Sequence, residues 1–334
     1  MLFSNKVFDN KFIMMLKILL ILIMSIPLLN VVNSDADAEQ LYSLGSSTTG
    51  GTYYIIGSGL AMMLYNELEG IQIRSVTTGG SIDNIQMLAT DEIQFAVIAS
   101  VSAATGYTGE GTFEGKPQEN LRVICSLHPS LFQFVVRKDS GIKTFEDFRG
   151  SRGWPGGLGS GGDQYTEQFL SILDINYKER KDFVPTYTNE SDTVSLMKDG
   201  HLDWAHLSGG LPTSSIMEVN SSVDIDIFPI KGEIRDRFLE KYPYYIPFTI
   251  PAGTYIGFNE DIETVAAVAY FVVNKGVSER LVYDIAKAIG ENIDRIRGIH
   301  GSLANFSLED AVKGIKVPLH PGALKYYKEI GLIK

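Results

Sequence analysis

From Leu41 to Ile293, short apolar runs alternate with apolar stripes at helical spacing, and that alternation leaves few folds open. Leu41–Leu44 reads as a strand, and Ile56, Leu60, Met63 and Leu64 then recur on one helix face. Ile71–Val76 is the next strand, with Ile82, Ile85, Leu88 and Ala89 as the next helical stripe. Phe95–Ala99 follows as a buried strand. Leu131–Arg137 opens a second series, in which Thr144-Phe145-Glu146-Asp147 looks like a helix start with an acidic first turn. Tyr165, Phe169, Ile172 and Leu173 form another helical stripe. Phe183–Tyr187, Val194–Met197, Leu202–Leu207 and Ile225–Ile230 continue the alternation. Val268–Val273 is a strongly apolar strand, and Leu281, Ile285, Ala288, Ile289 and Ile293 share one helix face. The pattern predicts α/β layers around a mainly parallel sheet. No repeat of about 20–50 residues is present, which excludes solenoids and propellers.

A chain of 334 residues at roughly 100–200 per domain favours two domains. No linker rich in Pro, Gly or Ser separates the halves, so the chain is expected to cross over and return. The expected division is residues 39–131 plus 275–334 for the first lobe and 132–274 for the second. The 29 Lys and Arg against 40 Asp and Glu give a net charge of −11, which argues against a nucleic-acid partner. A lone cysteine, Cys125, can make neither an internal disulfide nor a cysteine-based zinc site.

Residues 1–38 read as a secretory signal peptide. Lys6, Lys11 and Lys17 precede or open the apolar run Ile18–Val32, and Ala36-Asp37-Ala38 supplies the small-residue cleavage pattern. The alternative is a membrane anchor, but the run is shorter than about 20 residues and Pro27 interrupts it. No cysteine near the site supports a lipid anchor. The pattern can start at Met1, Met14 or Met15. Export, most simply to a periplasm, is the expectation.

Three Gly/Ser/Thr-rich turns each follow a strand and open a helix: Gly45–Tyr54, Thr77–Ser81 and Gly156–Gly162. Glycine lets backbone approach a ligand, and a helix N-terminus offers unpaired N–H groups and a positive dipole end. Together they suit a carboxylate or phosphate; singly, each is an ordinary strand-to-helix turn. None matches the P-loop, the dinucleotide Gly-x-Gly-x-x-Gly or the Gly-x-Ser-x-Gly nucleophile elbow. His128, His201, His206, His300 and His320 show no zinc-helix spacing. His201 and His206 flank an apparent strand and read as core or rim packing. The stretch Tyr242–Phe248 suits a pocket wall or a core edge, and Tyr255 is a candidate pocket hydroxyl.

Several segments, in order along nearly the whole mature chain, resemble the solute-binding proteins of the TAXI subfamily of TRAP transporters. They are Gly50-Gly51-Thr52-Tyr53-Tyr54, Thr78-Gly79-Gly80-Ser81 with Asn84, Gly159-Ser160-Gly161, Ile250–Tyr255 and Pro318–Tyr327. The resemblance implies a two-lobed periplasmic-binding-protein architecture of type II-like form, with a hinge and a ligand cleft. It implies capture of a small carboxylate, a glutamate-like amino acid or a dicarboxylate, and delivery to a sodium-driven membrane permease. No catalysis, cofactor or metal is expected, and a monomer is the family default.

Carried over by position, the ligand contacts would be Thr48, Gly51, Thr52 and Tyr53 in the first turn, and Ser81 and Asn84 in the second. Ser100 would close the third strand, followed here by Val101 where the family often has Asp. Ser160, Gly161, Ser208, Thr213 and Tyr255 would come from the second lobe. Asp163, where many relatives have a basic residue nearby, would disfavour an anion unless it points away. Two other classes stay open: a secreted serine hydrolase using a Gly/Ser turn, and an exported interaction protein with an empty cleft.

Overall fold

The computed structural model describes residues 40–334; the expected signal peptide lies outside the described residues. The first two strand-helix repeats and the third strand form where the apolar spacing puts them; the helix after that strand has no counterpart in the spacing. Strand β1 (Gln40–Gly45) leads through a Gly-rich turn to the helix Thr52–Glu67, which buries Ile56, Leu60, Met63 and Leu64. β2 (Ile71–Val76) leads to the helix Ser81–Ala89, and β3 (Phe95–Ala99) runs straight into the helix Ser100–Thr108. β3 is buried along its whole length, consistent with its unbroken apolar run.

Next comes β4 (Leu121–Leu131), 11 residues long, then the short β5 (Phe134–Arg137) and β6 (Gly153–Trp154). The helices Gly161–Ser171 and Glu190–Lys198 precede β7 (Trp204–His206). The helix Ser214–Asn220, β8 (Ile225–Phe228), the helix Gly232–Lys241 and β9 (Ile246–Ile250) lead to β10 (Ile262–Asn274). The helix Glu279–Glu291 then starts a helical C-terminal region. Its Ser278 cap accepts from the Leu281 N–H, and it buries Leu281, Ile285, Ala288 and Ile289.

Two sheets result. One has the order β2-β1-β3-β10-β4, with β9 added on β10; the other has the order β6-β7-β5-β8. Each sheet carries its own buried apolar clusters on its faces. β4 and β10 are the long strands of the first sheet, and β4 leads almost directly into β5 of the second. The Ile262–Ala266 end of β10 pairs with β9, and its Ala269–Val273 end pairs with β3 in the first sheet. The expected lobe boundary at residue 274 thus falls at the end of this strand, whose pairing passes from one partner to the other near Ala266.

The sheets are mixed rather than mainly parallel. Only β1–β2, β1–β3 and β6–β7 are parallel; the five remaining pairs are antiparallel. In the first sheet the cause is the returning strand β10, which enters against the direction of β3; in the second it is β5, which runs against both of its neighbours. The stretch Phe183–Tyr187 also departs from the expected alternation and forms no strand. Pro185 lacks the N–H a ladder needs, although Phe183 is buried and stacks on Tyr177. β4 was hidden from the periodic pattern by Pro129, which lies opposite Val268 beside a register shift. The Val268 N–H finds its acceptor in the Ser100 hydroxyl, 3.0 Å away.

The C-terminal His320-Pro321-Gly322 has a structural explanation. His320 caps the helix Pro321–Glu329 through Nδ1, which accepts from the Gly322 N–H, while Nε2 lies 3.1 Å from the Val277 carbonyl. A Cβ on Gly322 would stand 2.3 Å from the Glu279 carbonyl, so only glycine lets this helix lie against Glu279–Glu291. Among the described residues no helix is long and apolar enough to cross a membrane.

Candidate functional site

All three Gly-rich turns meet around one small cavity between the lobes, of about 50 Å³. A single water needs about 10–15 Å³ on this measure, so the space suits a few waters or a compact solute. Thr48, Gly51, Thr52 and Tyr53 line it from the first turn, and Ser81 from the second. Ser160, Gly161 and Ser208 line it from the second lobe. These eight of the twelve expected contacts converge.

The other four do not line the cavity. Asn84 is fully buried and donates from Nδ2 to the carbonyls of Ser46 and Val97, tying the first turn to β3. Ser100 supports β10 as described. Tyr255 donates to Gln133 Oε1 at 2.5 Å and accepts from the Thr213 N–H at 3.1 Å. Gln133 Nε2 donates in turn to Thr213 Oγ1 at 2.8 Å. This closed polar triangle braces the loop that presents Ser208.

Helix ends add to the polarity of the hydroxyl-rich wall. The helix Thr52–Glu67 begins at Gly51 with no side-chain cap, so first-turn N–H groups stay open at the cavity. At the helix Gly161–Ser171, Ser160 Oγ accepts only the Asp163 N–H, 3.1 Å away, and the two glycines ahead of it line the cavity. The third helix end is already occupied. The Gly159 carbonyl of the second lobe accepts from the Ile82 N–H (3.0 Å) and the Asp83 N–H (3.4 Å). A reciprocal contact runs the other way: the Thr49 carbonyl accepts from the backbone N–H (3.3 Å) and hydroxyl (3.2 Å) of Ser191 in the second lobe. Each lobe thus caps a helix of the other, and the cleft is shut.

Two hydroxyls stand out. Tyr53 and Tyr165 both line the cavity, and their buried hydroxyl oxygens make no well-formed hydrogen bond, each standing beside the other and beside Ser130. Burial pushes the Tyr53 phenol up to about 12 and the Tyr165 phenol well above its usual range, so both stay protonated donors. Buried donors without partners are uncommon in folded proteins, and here they face a space sized for a solute.

Asp163 points away from the cavity. Its carboxylate is held by Lys178 Nζ at 2.5 Å and the Tyr177 hydroxyl at 2.7 Å. The cavity wall contains no Lys, Arg or His. Its one carboxyl group is Glu190, which pattern reading passed over because an acid in a helix's first turn is unremarkable. Ser130, Trp154 and Tyr165 were also missed as wall residues. Tyr165 had been counted only as part of an apolar stripe.

None of the cavity's serines is hydrogen-bonded to a histidine among the described residues. His206 is buried against Phe134 and pairs with Thr166 Oγ1 at 2.7 Å, the packing role expected of it. His201 is exposed at the surface.

A family model for the NMT1-like family matches residues 44–331. The chain belongs to the NMT1-like family. Solved structures agree with the fold of this family member. MatC from Rhodopseudomonas palustris, solved with bound malate, aligns with a TM-score of 0.53 at 12% identity, over 87% of this chain and 96% of that one. PhnD1 from Prochlorococcus marinus, in complex with methylphosphonate, aligns with a TM-score of 0.52 at 12% identity, over 88% and 100%. A structure described as a periplasmic transporter aligns with a TM-score of 0.51 at 13% identity, over 87% and 92%. The chain has the α/β periplasmic-binding-protein fold with two sheets.

Proposed function

We propose that this protein is an exported solute-binding protein that closes its lobes over a small carboxylate and delivers it to a membrane permease. The observation that carries this reading is the shut interlobe cavity, where open helix N-termini meet the buried hydroxyls of Tyr53 and Tyr165, neither of which makes a well-formed hydrogen bond in the protein. Such donors hold a carboxylate without a fixed cation: the helix ends favour negative charge, and neutral hydroxyls cost little to desolvate. Closure removes competing water. The same fold holds malate in MatC and methylphosphonate in PhnD1, which supports a small anion as cargo. A glutamate-like amino acid or a dicarboxylate is the class in view.

The periplasm as location and a sodium-driven TRAP permease as acceptor rest on the TAXI resemblance, and a binding role without catalysis is part of the same proposal. A thermal-shift screen against amino acids and dicarboxylates tests it. A ligand at about 100 times its Kd adds about 2.7 kcal/mol and shifts Tm by several degrees. Silence across small carboxylates, with no ligand released on denaturation, would refute it. Labelling of Ser81, Ser160 or Ser208 by a serine-directed probe would favour the hydrolase instead.

A further inference from the structure

The carboxyl group of Glu190 is the one strongly polar feature of the cavity that a simple anion site does not explain. The side chain is 6% exposed and projects from the start of the helix Glu190–Lys198 into the cavity wall. Its Oε1 accepts from the Ser215 hydroxyl at 2.5 Å. Its Oε2 has no hydrogen-bond partner and lies against Gly51, where a Cβ would stand 3.1 Å away. No basic side chain lines the cavity to balance it. Buried carboxylates are otherwise paired, as Asp163 is by Lys178 in this same molecule.

The missing partner is best supplied by the solute. Glu190 stands at the N-terminus of the helix Thr52–Glu67, so that helix end already faces one carboxyl group. The helix Gly161–Ser171 and the hydroxyls of Tyr53 and Tyr165 remain for the ligand's own carboxylate. One seat for a negative group, one for a positive group and about 50 Å³ of space define a compact zwitterion. A second carboxylate would face Glu190 with no cation beside it.

Building on the small-carboxylate reading above, we infer that Glu190 receives the ammonium group of a small, neutral α-amino acid. This narrows the ligand within that reading: a dicarboxylate, or an acidic amino acid with its second carboxylate, fits the charge pattern poorly. Burial raises the Glu190 carboxyl to about 7, and an ammonium group beside it would favour its ionised form.

The test is titration calorimetry on the intact exported protein, dialysed free of solute, with matched pairs. L-alanine is set against L-lactate, and L-serine against L-glycerate, so that ammonium is replaced by hydroxyl on the same skeleton. L-glutamate, succinate and malate complete the set. The wild-type protein is expected to prefer an amino acid over its hydroxy-acid counterpart at least ten-fold, and over the three diacids by as much. Glu190→Gln keeps size and the Ser215 bond and is expected to erase the preference. Circular dichroism and the unliganded melting curve confirm that this variant folds.

Tighter binding of malate, succinate or L-glutamate would overturn the inference while leaving the small-carboxylate reading intact. An unchanged amino-acid preference in Glu190→Gln would do the same. So would a Glu190→Gln variant that holds diacids as well as the parent, since Glu190 would then act as a protonated donor. Failure of every carboxylate in the set and in the wider screen would remove both readings.

Discussion

Two hollows in this molecule differ in almost every respect. The cavity between the Gly-rich turns holds about 50 Å³. A groove along β4 and β10, walled by Leu211, Tyr244, Ile246, Phe248 and Phe306 among others, holds about 1,030 Å³. Size alone selects the groove. The chemistry of the walls selects the cavity, because among the described residues it is there that open helix N-termini, two buried phenols and an unbalanced carboxyl converge. A shut binding site is small because closure has brought its walls together, so volume ranks such hollows badly when the lobes are latched.

The sharpest way to break this choice is to fill one hollow and leave the other. A Cβ on Gly161 would already lie 3.0 Å from Ser81 Oγ and 3.3 Å from Ala99 Cβ. Gly161→Trp is therefore expected to block both the solute and closure, and to lower affinity by more than about 100-fold on the scale of a lost buried anchor. Ile246→Glu, on the 44% exposed wall of the groove, is expected to leave affinity within about two-fold, as surface changes do. Calorimetry with the solute found in the screen checks both. The reverse pattern would move the site to the groove.

Removing single hydroxyls comes next and carries a built-in sign. If Tyr165 donates to a bound carboxylate, Tyr165→Phe costs about 1–3 kcal/mol of binding, roughly 5- to 150-fold. The same hydroxyl makes no well-formed hydrogen bond in the protein, standing beside Tyr53 and Ser130, so its loss is expected to raise the Tm of the unliganded chain. Tyr53→Phe is expected to behave alike. A hydroxyl whose removal changes neither quantity would have no place in the site.

How much of this was legible in the sequence follows from which residues act locally. The strand-helix alternation was readable because it depends on apolar spacing alone, and β2 and β3 fall where the runs predict. The three turns were readable because Gly, Ser and Thr cluster at helix starts. The occupied end of the helix Ser81–Ala89 was not, because its cap is Gly159, in the other lobe. Glu190 was invisible for the same reason: its burial comes from Gly51 and Ser215, distant in the chain. Asn84, Ser100 and Tyr255 show the converse. Asn84 and Tyr255 lie in segments that resemble the family and Ser100 was carried over by position, yet in the structure all three brace the scaffold around the site. The direction of β10 could not be read either, since a buried apolar run is alike in parallel and antiparallel ladders.

The titrating groups of the two hollows pull stability in opposite directions. Glu190 is raised from 4.5 to about 7 by burial. Between those values the folded chain holds a proton that the unfolded chain has lost. The contribution of Glu190 to the stability of the unliganded protein therefore falls as pH rises from 4.5 to about 7, then levels. His128, beside the groove, is lowered from 6.5 to about 4 by burial, so its contribution is lost as pH falls through that window. Glu190→Gln is expected to remove this loss, raising Tm at pH 7 relative to pH 4.5 by a few degrees compared with the parent, and to leave the His128 contribution unchanged. The same change of Tm between pH 4.5 and 7 in the variant as in the parent would show that Glu190 is already ionised across that range in the unliganded protein.

The smallest effect should separate the latch from the site. Ser191 holds the Thr49 carbonyl through both its N–H and its hydroxyl, and only the hydroxyl is removed by Ser191→Ala. At the exposed surface such a bond contributes about 0.5 kcal/mol, so dissociation of solute is expected to quicken about two-fold with little change in association. The change falls on release because the contact exists only when the lobes are together, after the solute has entered. Ser195→Ala is the matched control: its hydroxyl bonds to the Ser191 carbonyl inside the same helix and does not cross the cleft. Stopped-flow release rates that move for Ser191→Ala and stay put for Ser195→Ala would show that reciprocal capping holds the cleft shut. Equal rates in both would assign closure to the solute's own contacts, chiefly those of Tyr53, Tyr165 and Glu190.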